Sequence, residues 1–234
     1  MQRTDERDMK TRIADAVSQL LTRHWRTIVI GFAAIIVVTL GVFAYYQIQE
    51  NRANDAARLA ETLQEDYESW QNAEEEERAE LEEAVQSSID EIVSDYAGTY
   101  AAARAVMIRA EIAWEKEEWA ASAESYLQVA SEHPDSHLAP VALFNASAAE
   151  ESAGNLDTAL GHVNTLLEDY GDEGPTPEIA RALFTRGRLN EEQQNYEDAA
   201  DTYNDLVDEH PDSSWTNLAR NRIIALKTRG LIAE

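Results

Sequence analysis

Several histidines, serines and acids could do chemistry, but none stands in a pattern that a catalytic or metal site requires. His133 and His137 are four residues apart, yet Pro134 between them interrupts any helix face that they could share. His133 and His210 both precede Pro-Asp-Ser, which indicates a repeated turn. No serine has a nucleophile-elbow sequence around it. We therefore expect no catalytic residue, no metal ion and no cofactor.

The run of four acids at 74–77 indicates either a solvated turn or the start of a helix, where negative charge is favourable. Consecutive acids on a helix point in different directions, whereas a calcium loop needs alternating ligands and a glycine turn. Cysteine is absent from all 234 residues, so neither a disulfide nor a thiolate metal site can form.

Uncharged residues fill the 20 positions from Thr27 to Tyr46, which is enough helix to span roughly 30 Å of hydrocarbon. Trp25 precedes this run and Tyr45 and Tyr46 end it, as aromatic residues do at membrane interfaces. We expect a transmembrane helix at 27–46. A secretory signal peptide cleaved after Ala44 is the alternative.

Charge predicts the orientation of such an anchor and the class of its partners. Residues 1–26 contain six basic side chains, and Lys and Arg beside a span stay in the cytoplasm. We therefore expect a cytoplasmic head at 1–26 and a periplasmic domain beyond the inner membrane. After Tyr46 there are 13 basic and 41 acidic residues. This excess of acid argues against nucleic acid as a partner, because phosphate binding needs clusters of Lys and Arg.

Neither glycine nor proline occurs between Val42 and Ala97, which favours long helices. Apolar residues recur at intervals of three and four in two runs, from Ala56 to Trp70 and from Leu81 to Tyr96. We expect these runs to form a helical hairpin over 47–102.

An internal repeat follows the hairpin. The segment Trp119–Ser136 matches Tyr196–Ser213, and a third copy lies between them around 154–171. The copies occupy 103–139, 140–179 and 180–213, with periods of 37 and 40, and the loop at 171–177 accounts for the longer period. Ser136 and Ser213 are expected to cap the helices that follow them.

These repeats resemble the tetratricopeptide repeat, a helix-turn-helix unit of about 34 residues. In the third copy Gly187 stands at the close approach of the two helices, Ala199 at their crossing, and Tyr203 and Leu206 in the core. The resemblance implies an all-α fold, in which one transmembrane helix precedes an α-solenoid of helical hairpins. Residues 214–234 would form the capping helix, with four apolar side chains turned inward: Leu218, Ile223, Ile224 and Leu226.

The first helices of the repeats would line a concave face. We expect a partner-binding groove there, made by nine residues at equivalent positions: Met107, Glu111, Trp114, Phe144, Ala148, Glu151, Phe184, Arg188 and Glu191. Met107, Phe144 and Phe184 would form an apolar ladder, with Arg188 as a positive point among acids. The alternative is that these three apolar residues pack between repeats.

The complete layout also resembles the ancillary Sec-translocon subunit family of bacterial inner membranes, most closely from Ile89 to Ala113 around Tyr96-Ala-Gly-Thr-Tyr100. This resemblance implies a chaperone-like adaptor that binds the translocon or exported polypeptides. The Pro-Asp-Ser endings resemble envelope scaffolds for outer-membrane assembly and cell division instead. We therefore expect a membrane-anchored protein-protein adaptor, with an envelope scaffold as the first alternative and a small-ligand carrier or enzyme as the second.

Overall fold

A computed structural model describes residues 2–171 and 177–233 of the protein. Helices joined by short turns make up these residues, and the described part of the chain contains no strand. The all-α class expected from the sequence is confirmed. In chain order the helices are α1 (Gln2–Asn72), α2 (Glu75–Asp95), α3 (Tyr100–Glu115), α4 (Trp119–Glu132), α5 (Leu138–Ser152), α6 (Leu156–Tyr170), α7 (Pro177–Glu192), α8 (Tyr196–Glu209) and α9 (Ser214–Thr228).

The chain divides into two compact units, and the first is Met1–Arg52. Its described residues belong to α1. A stretch of this helix near the N-terminus is long and apolar enough to cross a membrane, by length and composition. For the basic residues that precede Arg23, the structure describes the helical backbone and not the side chains. Large apolar side chains of this unit are exposed: Trp25, Val29, Ile30, Phe32, Ile35, Ile36, Val37, Val38, Leu40, Val42, Phe43, Tyr45, Tyr46 and Ile48.

The second unit, Ala53–Glu234, begins with a helical hairpin. The end of α1 packs against α2 and α3 through fully buried side chains, among them Leu63, Val85 and Ile89. The intervals of three and four that predicted these helices therefore mark their buried faces. Glu74 is the N-cap of α2, so the run of acids does begin a helix.

Three helix pairs, α3 with α4, α5 with α6 and α7 with α8, follow this hairpin and pack on one another in chain order. The first helices of these pairs begin at Tyr100, Leu138 and Pro177. These positions lie two or three residues before the predicted repeat boundaries at 103, 140 and 180. Most of the loop expected at 171–177 falls at residues 172–176, outside the described residues.

One left-handed residue lies in the turn inside each of these pairs. Glu117, Gly154 and Gln194 have φ values of 59°, 83° and 64°. The residue after each donates its N–H to a carbonyl five positions back, at 2.8 Å in every case, which closes the end of the first helix. These three positions are separated by the same 37 and 40 residues as the sequence copies, so the turn geometry repeats with the sequence.

The crossing of α7 and α8 is as tight as the sequence predicted. Ala199, Tyr203 and Leu206 are fully buried. A Cβ atom on Gly187 would overlap the ring of Tyr203, so only glycine fits beside that ring without rearrangement. Ser213 is the N-cap of α9 and accepts the N–H of Trp215 at 3.3 Å, which confirms its expected capping role. Ser136 accepts the N–H of Leu138 at 3.2 Å, but it lies one residue before His137, the N-cap of α5.

The inward face predicted for α9 is wrong at two of its four positions. Leu226 is buried and Ile223 packs against the core, but Leu218 and Ile224 are 46% and 62% exposed. Thr216 and Ala219 are buried in their place, at the helical spacing that leads to Ile223 and Leu226. Leu218 and Ile224 fall outside this stripe, because a helix turns by about 100° for each residue.

Candidate partner-binding groove

The first helices of the three pairs lie side by side, since α3 contacts α5 and α5 contacts α7. Each helix carries three of the nine residues expected in the groove. These are Met107, Glu111 and Trp114 on α3, Phe144, Ala148 and Glu151 on α5, and Phe184, Arg188 and Glu191 on α7.

The three residues of the expected apolar ladder differ in exposure. Met107 is 7% exposed and belongs to a core cluster with Ala110 and Tyr126. Phe144 is 8% exposed, and the guanidinium carbon of Arg181 lies 4.0 Å from the centre of its ring. The half-buried Phe184 packs against two aromatic rings. Packing between repeats, the alternative considered for the ladder, therefore describes Met107 and Phe144.

Four of the nine residues meet in one pocket of about 340 Å³, which we call the Glu111 pocket. They are Glu111, Trp114, Phe144 and Ala148. The remaining lining residues, which the sequence did not assign to a site, come from α1, α4 and α7 as well as from α3 and α5: Tyr67, Gln71, Glu115, Tyr126, Asn145 and Arg181. In the sequence, Tyr67 and Tyr126 occupy positions with the helical spacing of core residues. Only the tertiary structure shows that they line a pocket.

Gln71 and Tyr67 form a small network of polar groups beside Glu111 in this pocket. The Gln71 amide Nε2 donates to the Tyr67 hydroxyl oxygen at 2.8 Å and to Glu115 Oε1 at 2.9 Å. The Tyr67 hydroxyl lies close enough to the Glu111 carboxylate to influence its pKa by hydrogen bonding. Burial, and then the negative charge of Glu111, raises the pKa of both Tyr67 and Tyr126. These phenols therefore stay protonated near neutral pH and can act as donors.

Burial also raises the pKa of the Glu111 carboxyl above its ordinary value of 4.5. The hydrogen bond from Tyr67 and the positive charge of Arg104 act in the opposite direction but do not reverse the shift. The folded chain thus keeps a carboxylate in surroundings that disfavour its charge.

Glu151 and Arg188, both expected in the groove, bind each other. Two nitrogens of the Arg188 guanidinium donate to the two carboxylate oxygens of Glu151, each at 2.6 Å. Arg188, expected as a positive point among acids, forms a bidentate ion pair that joins α5 and α7.

Glu191 is the most buried acid of the predicted set, at 9% exposure, and it joins three helices. Its carboxylate accepts from the Tyr203 hydroxyl of α8 at 2.9 Å and from Arg222 Nε of α9 at 2.8 Å, and Arg222 Nη2 donates to its second oxygen. With Phe184 and Arg188 it lines a second pocket of about 370 Å³. Because the Glu191 carboxylate accepts from three donor groups on two other helices, its role is structural.

The histidines that could have suggested chemistry occupy helix ends. His133 and His210 are the C-terminal caps of α4 and α8, and their N–H groups donate to the carbonyls four residues back at 3.0 Å and 3.1 Å. The His137 ring lies 3.3 Å from the Tyr100 hydroxyl. Within the described residues no group of three His, Cys, Asp or Glu side chains is arranged to hold a metal ion.

Comparison with known families agrees with this geometry. Residues 19–170 match a family model described as a tetratricopeptide repeat-like domain, and residues 145–214 match one described as a tetratricopeptide repeat. The chain is also 29% identical over 133 residues to a TPR repeat-containing protein of Treponema pallidum (strain Nichols). That similarity covers 56% of this chain and 52% of the relative, so the chain spans about half the length of the relative.

Because the first family model matches more than half of the chain, this protein belongs to the tetratricopeptide repeat-like domain family. Its repeats form an α-solenoid with a surface for protein-protein interaction. Proteins built on such repeats are generally noncatalytic scaffolds.

Proposed function

We propose that this protein is a membrane-anchored adaptor or chaperone-like subunit that binds protein partners on the outer side of a bacterial inner membrane. Residues 27–46 would be the anchor and residues 1–26 the cytoplasmic head. The periplasmic part would consist of a hairpin at 47–102, repeats at 103–139, 140–179 and 180–213, and a capping segment at 214–234. The expected groove residues remain the proposed contact surface.

The Glu111 pocket is the observation that carries this proposal. It is an open pocket of about 340 Å³ lined from α1, α3, α4, α5 and α7, so it exists only where successive helix pairs stack. Aromatic walls and a few polar groups are typical of ligand sites, and this volume is near the lower end of their range. Such a pocket suits one or two side chains of an extended polypeptide better than a folded surface.

The exposed apolar side chains of the first unit support the anchor. Aromatic and β-branched residues from Val29 to Ile48 form an exposed surface far more apolar than the surface of a soluble domain. A bilayer would cover this surface, and Trp25 and Tyr45 would then lie at headgroup level. The association with protein translocation rests on the resemblance of Ile89–Ala113 to the ancillary Sec-translocon subunits.

A photocrosslinking experiment in intact bacteria tests the adaptor function. The photoreactive residue p-benzoylphenylalanine would replace Ala148, which lines the Glu111 pocket, and in a matched control would replace the exposed Glu197 on α8. We expect adducts with translocon subunits or exported chains from position 148 and few from position 197. Equal or absent capture from both positions would contradict a groove on the first helices.

The same experiment separates the second candidate function, an envelope scaffold for outer-membrane assembly or cell division. The turns that end α4 and α8 with Pro-Asp-Ser favour that candidate. Adducts with division or outer-membrane assembly proteins, instead of translocon components, would select it.

Protease accessibility tests the topology. Protease added to spheroplasts should remove residues beyond Tyr46 and leave a short membrane-bound fragment that contains the head. A repeat domain that resists protease until lysis would contradict the orientation, and a mature N-terminus at Tyr45 would establish a cleaved signal peptide instead.

A further inference from the structure

Glu111 lacks the kind of partner that Glu151 and Glu191, the other two acids of the groove, have in the described part of the chain. Glu151 binds Arg188, and Glu191 binds Arg222, so each has an arginine within ion-pair distance. In the described part of the chain no Lys, Arg or His nitrogen lies within 4.0 Å of the Glu111 carboxylate. The polar group that acts on Glu111 by hydrogen bonding is the neutral Tyr67 hydroxyl, which lowers the pKa of Glu111 against the effect of burial.

The cations nearest to the pocket have other partners. Arg104 Nη2 donates to Gln64 Oε1 at 2.8 Å. Arg181 is itself a lining residue, and its guanidinium carbon lies 4.0 Å from the centre of the Phe144 ring. Glu115, the second acid that lines the pocket, accepts from the Gln71 amide and also has no ion pair among the described residues. The pocket therefore contains, beside the guanidinium of Arg181, two carboxylates that form no ion pair within the described part of the chain.

Aromatic rings form the walls around these carboxylates. Tyr67, Trp114 and Tyr126 line the pocket, and Trp114 packs edge-on against Trp119 with ring centres 4.9 Å apart. Tyr67 stacks on Trp70 with ring centres 5.7 Å apart, and both rings belong to the core of the hairpin. Faces of tryptophan and tyrosine attract cations, and the attraction increases when the cation is partly removed from water.

We propose that the Glu111 pocket binds a basic side chain, arginine or lysine, of a protein partner in extended conformation. This inference rests on the proposed function and specifies the chemistry of the partner at that site. The cation would pair with Glu111 and Glu115 while its alkyl stem lies along the rings of Trp114 and Tyr67. The chain's net charge of −26 would attract such partners over a longer range.

Other side chains fit this pocket less well. An apolar side chain would displace water from the Glu111 carboxylate without offering a hydrogen bond in its place, and this loss is unfavourable for a charged group. An acidic side chain would be repelled by both carboxylates. The pocket thus selects by the unfavourable binding of the wrong residue as well as by attraction to the right one.

Peptide binding to the full chain in detergent micelles tests this selectivity. The probes are four fluorescein-labelled peptides of twelve alanine, serine and leucine residues, identical except for a central arginine, lysine, norleucine or glutamate. By fluorescence anisotropy we expect the arginine and lysine peptides to bind about tenfold more tightly than the norleucine peptide, a difference of about 1.4 kcal/mol. Equal or tighter binding of the norleucine peptide would overturn the proposal.

Two variants localise the effect. Glu111→Gln keeps the shape and the hydrogen bond from Tyr67, and should reduce the preference for a basic residue to about twofold or less. Glu197→Gln removes the same charge from the exposed surface of α8 and should leave the preference unchanged. A preference that survives Glu111→Gln, or falls equally in both variants, would mean that only the general acidity of the chain attracts the peptides.

A third variant covers the case in which Glu111→Gln disturbs the fold, as circular dichroism would show. Trp114→Leu removes the aromatic wall but keeps an apolar side chain, and it should also weaken the basic peptides more than the norleucine peptide. Crosslinking from position 148 distinguishes the two proposals. Capture that persists without any peptide preference would refute the basic-residue pocket alone, whereas absent capture from position 148 in a chain that keeps Glu111 and Trp114 would refute the adaptor function.

Discussion

Ser122 and Ser147 make the same hydrogen bond from opposite sides of a helix crossing. Ser122 lies on the second helix of its pair and donates to the carbonyl of Ala110 at 2.9 Å, while Ser147 lies on the first helix of the next pair and donates to Ala159 at 2.8 Å. Both hydroxyls are buried. The serine and the alanine have exchanged helices between two successive repeats, and the contact between the helices has been kept.

Removal of either hydroxyl should therefore weaken the fold by a similar amount. Ser122→Ala and Ser147→Ala should each lower the free energy of unfolding by about 1 kcal/mol, as the loss of one buried hydrogen bond does. Urea unfolding of the full chain in detergent, followed by circular dichroism, measures this. Adding Ala110→Ser to Ser122→Ala should restore part of the loss, because it places the donor where Ser147 has it. A double variant less stable than Ser122→Ala would show that the two arrangements are not interchangeable.

Two glycines inside helices should respond to alanine in opposite directions. Gly187→Ala should destabilise the fold by about 1–3 kcal/mol, since the added Cβ meets the buried ring of Tyr203. Gly161→Ala on α6 meets no atom within 4 Å and should stabilise the fold by up to about 1 kcal/mol through helix propensity. Thermal unfolding of both variants compares them directly. A gain in stability for Gly187→Ala would mean that the Tyr203 ring moves aside at little cost.

The left-handed residues in the turns of the helix pairs predict substitutions that change the free energy of unfolding in opposite directions. Glu117→Gly and Gln194→Gly should each raise the free energy of unfolding by roughly 0.5–1 kcal/mol, because a side chain in the left-handed region is strained. At the equivalent position Gly154→Ala should lower it by a similar amount. Urea midpoints of the three variants provide the measurement. The same sign for all three would contradict equivalent turn geometry.

The raised pKa of Glu111 predicts how stability depends on pH. The folded chain holds this proton more tightly than the unfolded chain does, so protonation of Glu111 favours the folded state. As the pH falls from 7 towards the ordinary value of 4.5, wild type should therefore gain stability relative to Glu111→Gln, which cannot take up the proton. Urea unfolding of both proteins at pH 7 and pH 5 measures the difference. If the stability of wild type relative to Glu111→Gln instead decreases from pH 7 to pH 5, the pKa of Glu111 is lowered in the folded chain.

The sequence by itself determined the helical class, the phase of the repeats and the tight contacts within each repeat. Ala199 at the crossing, Gly187 beside Tyr203 and the cap at Ser213 follow from side-chain size or from hydrogen bonding over a few residues. Such signals are local, because a helix pair with its turn contains both partners of the contact. For the same reason the apolar spacing of the hairpin located its buried face.

Only the tertiary structure decided which polar groups meet across the repeats. Arg188 pairs with Glu151 at a separation of 37 residues, Gln71 reaches Glu115 across 44, and Leu218 turns outward because Thr216 and Ala219 occupy the inner face of α9. Each outcome depends on the rotation of one helix against a neighbour, which periodicity within a single helix does not specify. The Glu111 pocket arises in this way, because its walls come from helices that approach one another only after the repeats stack.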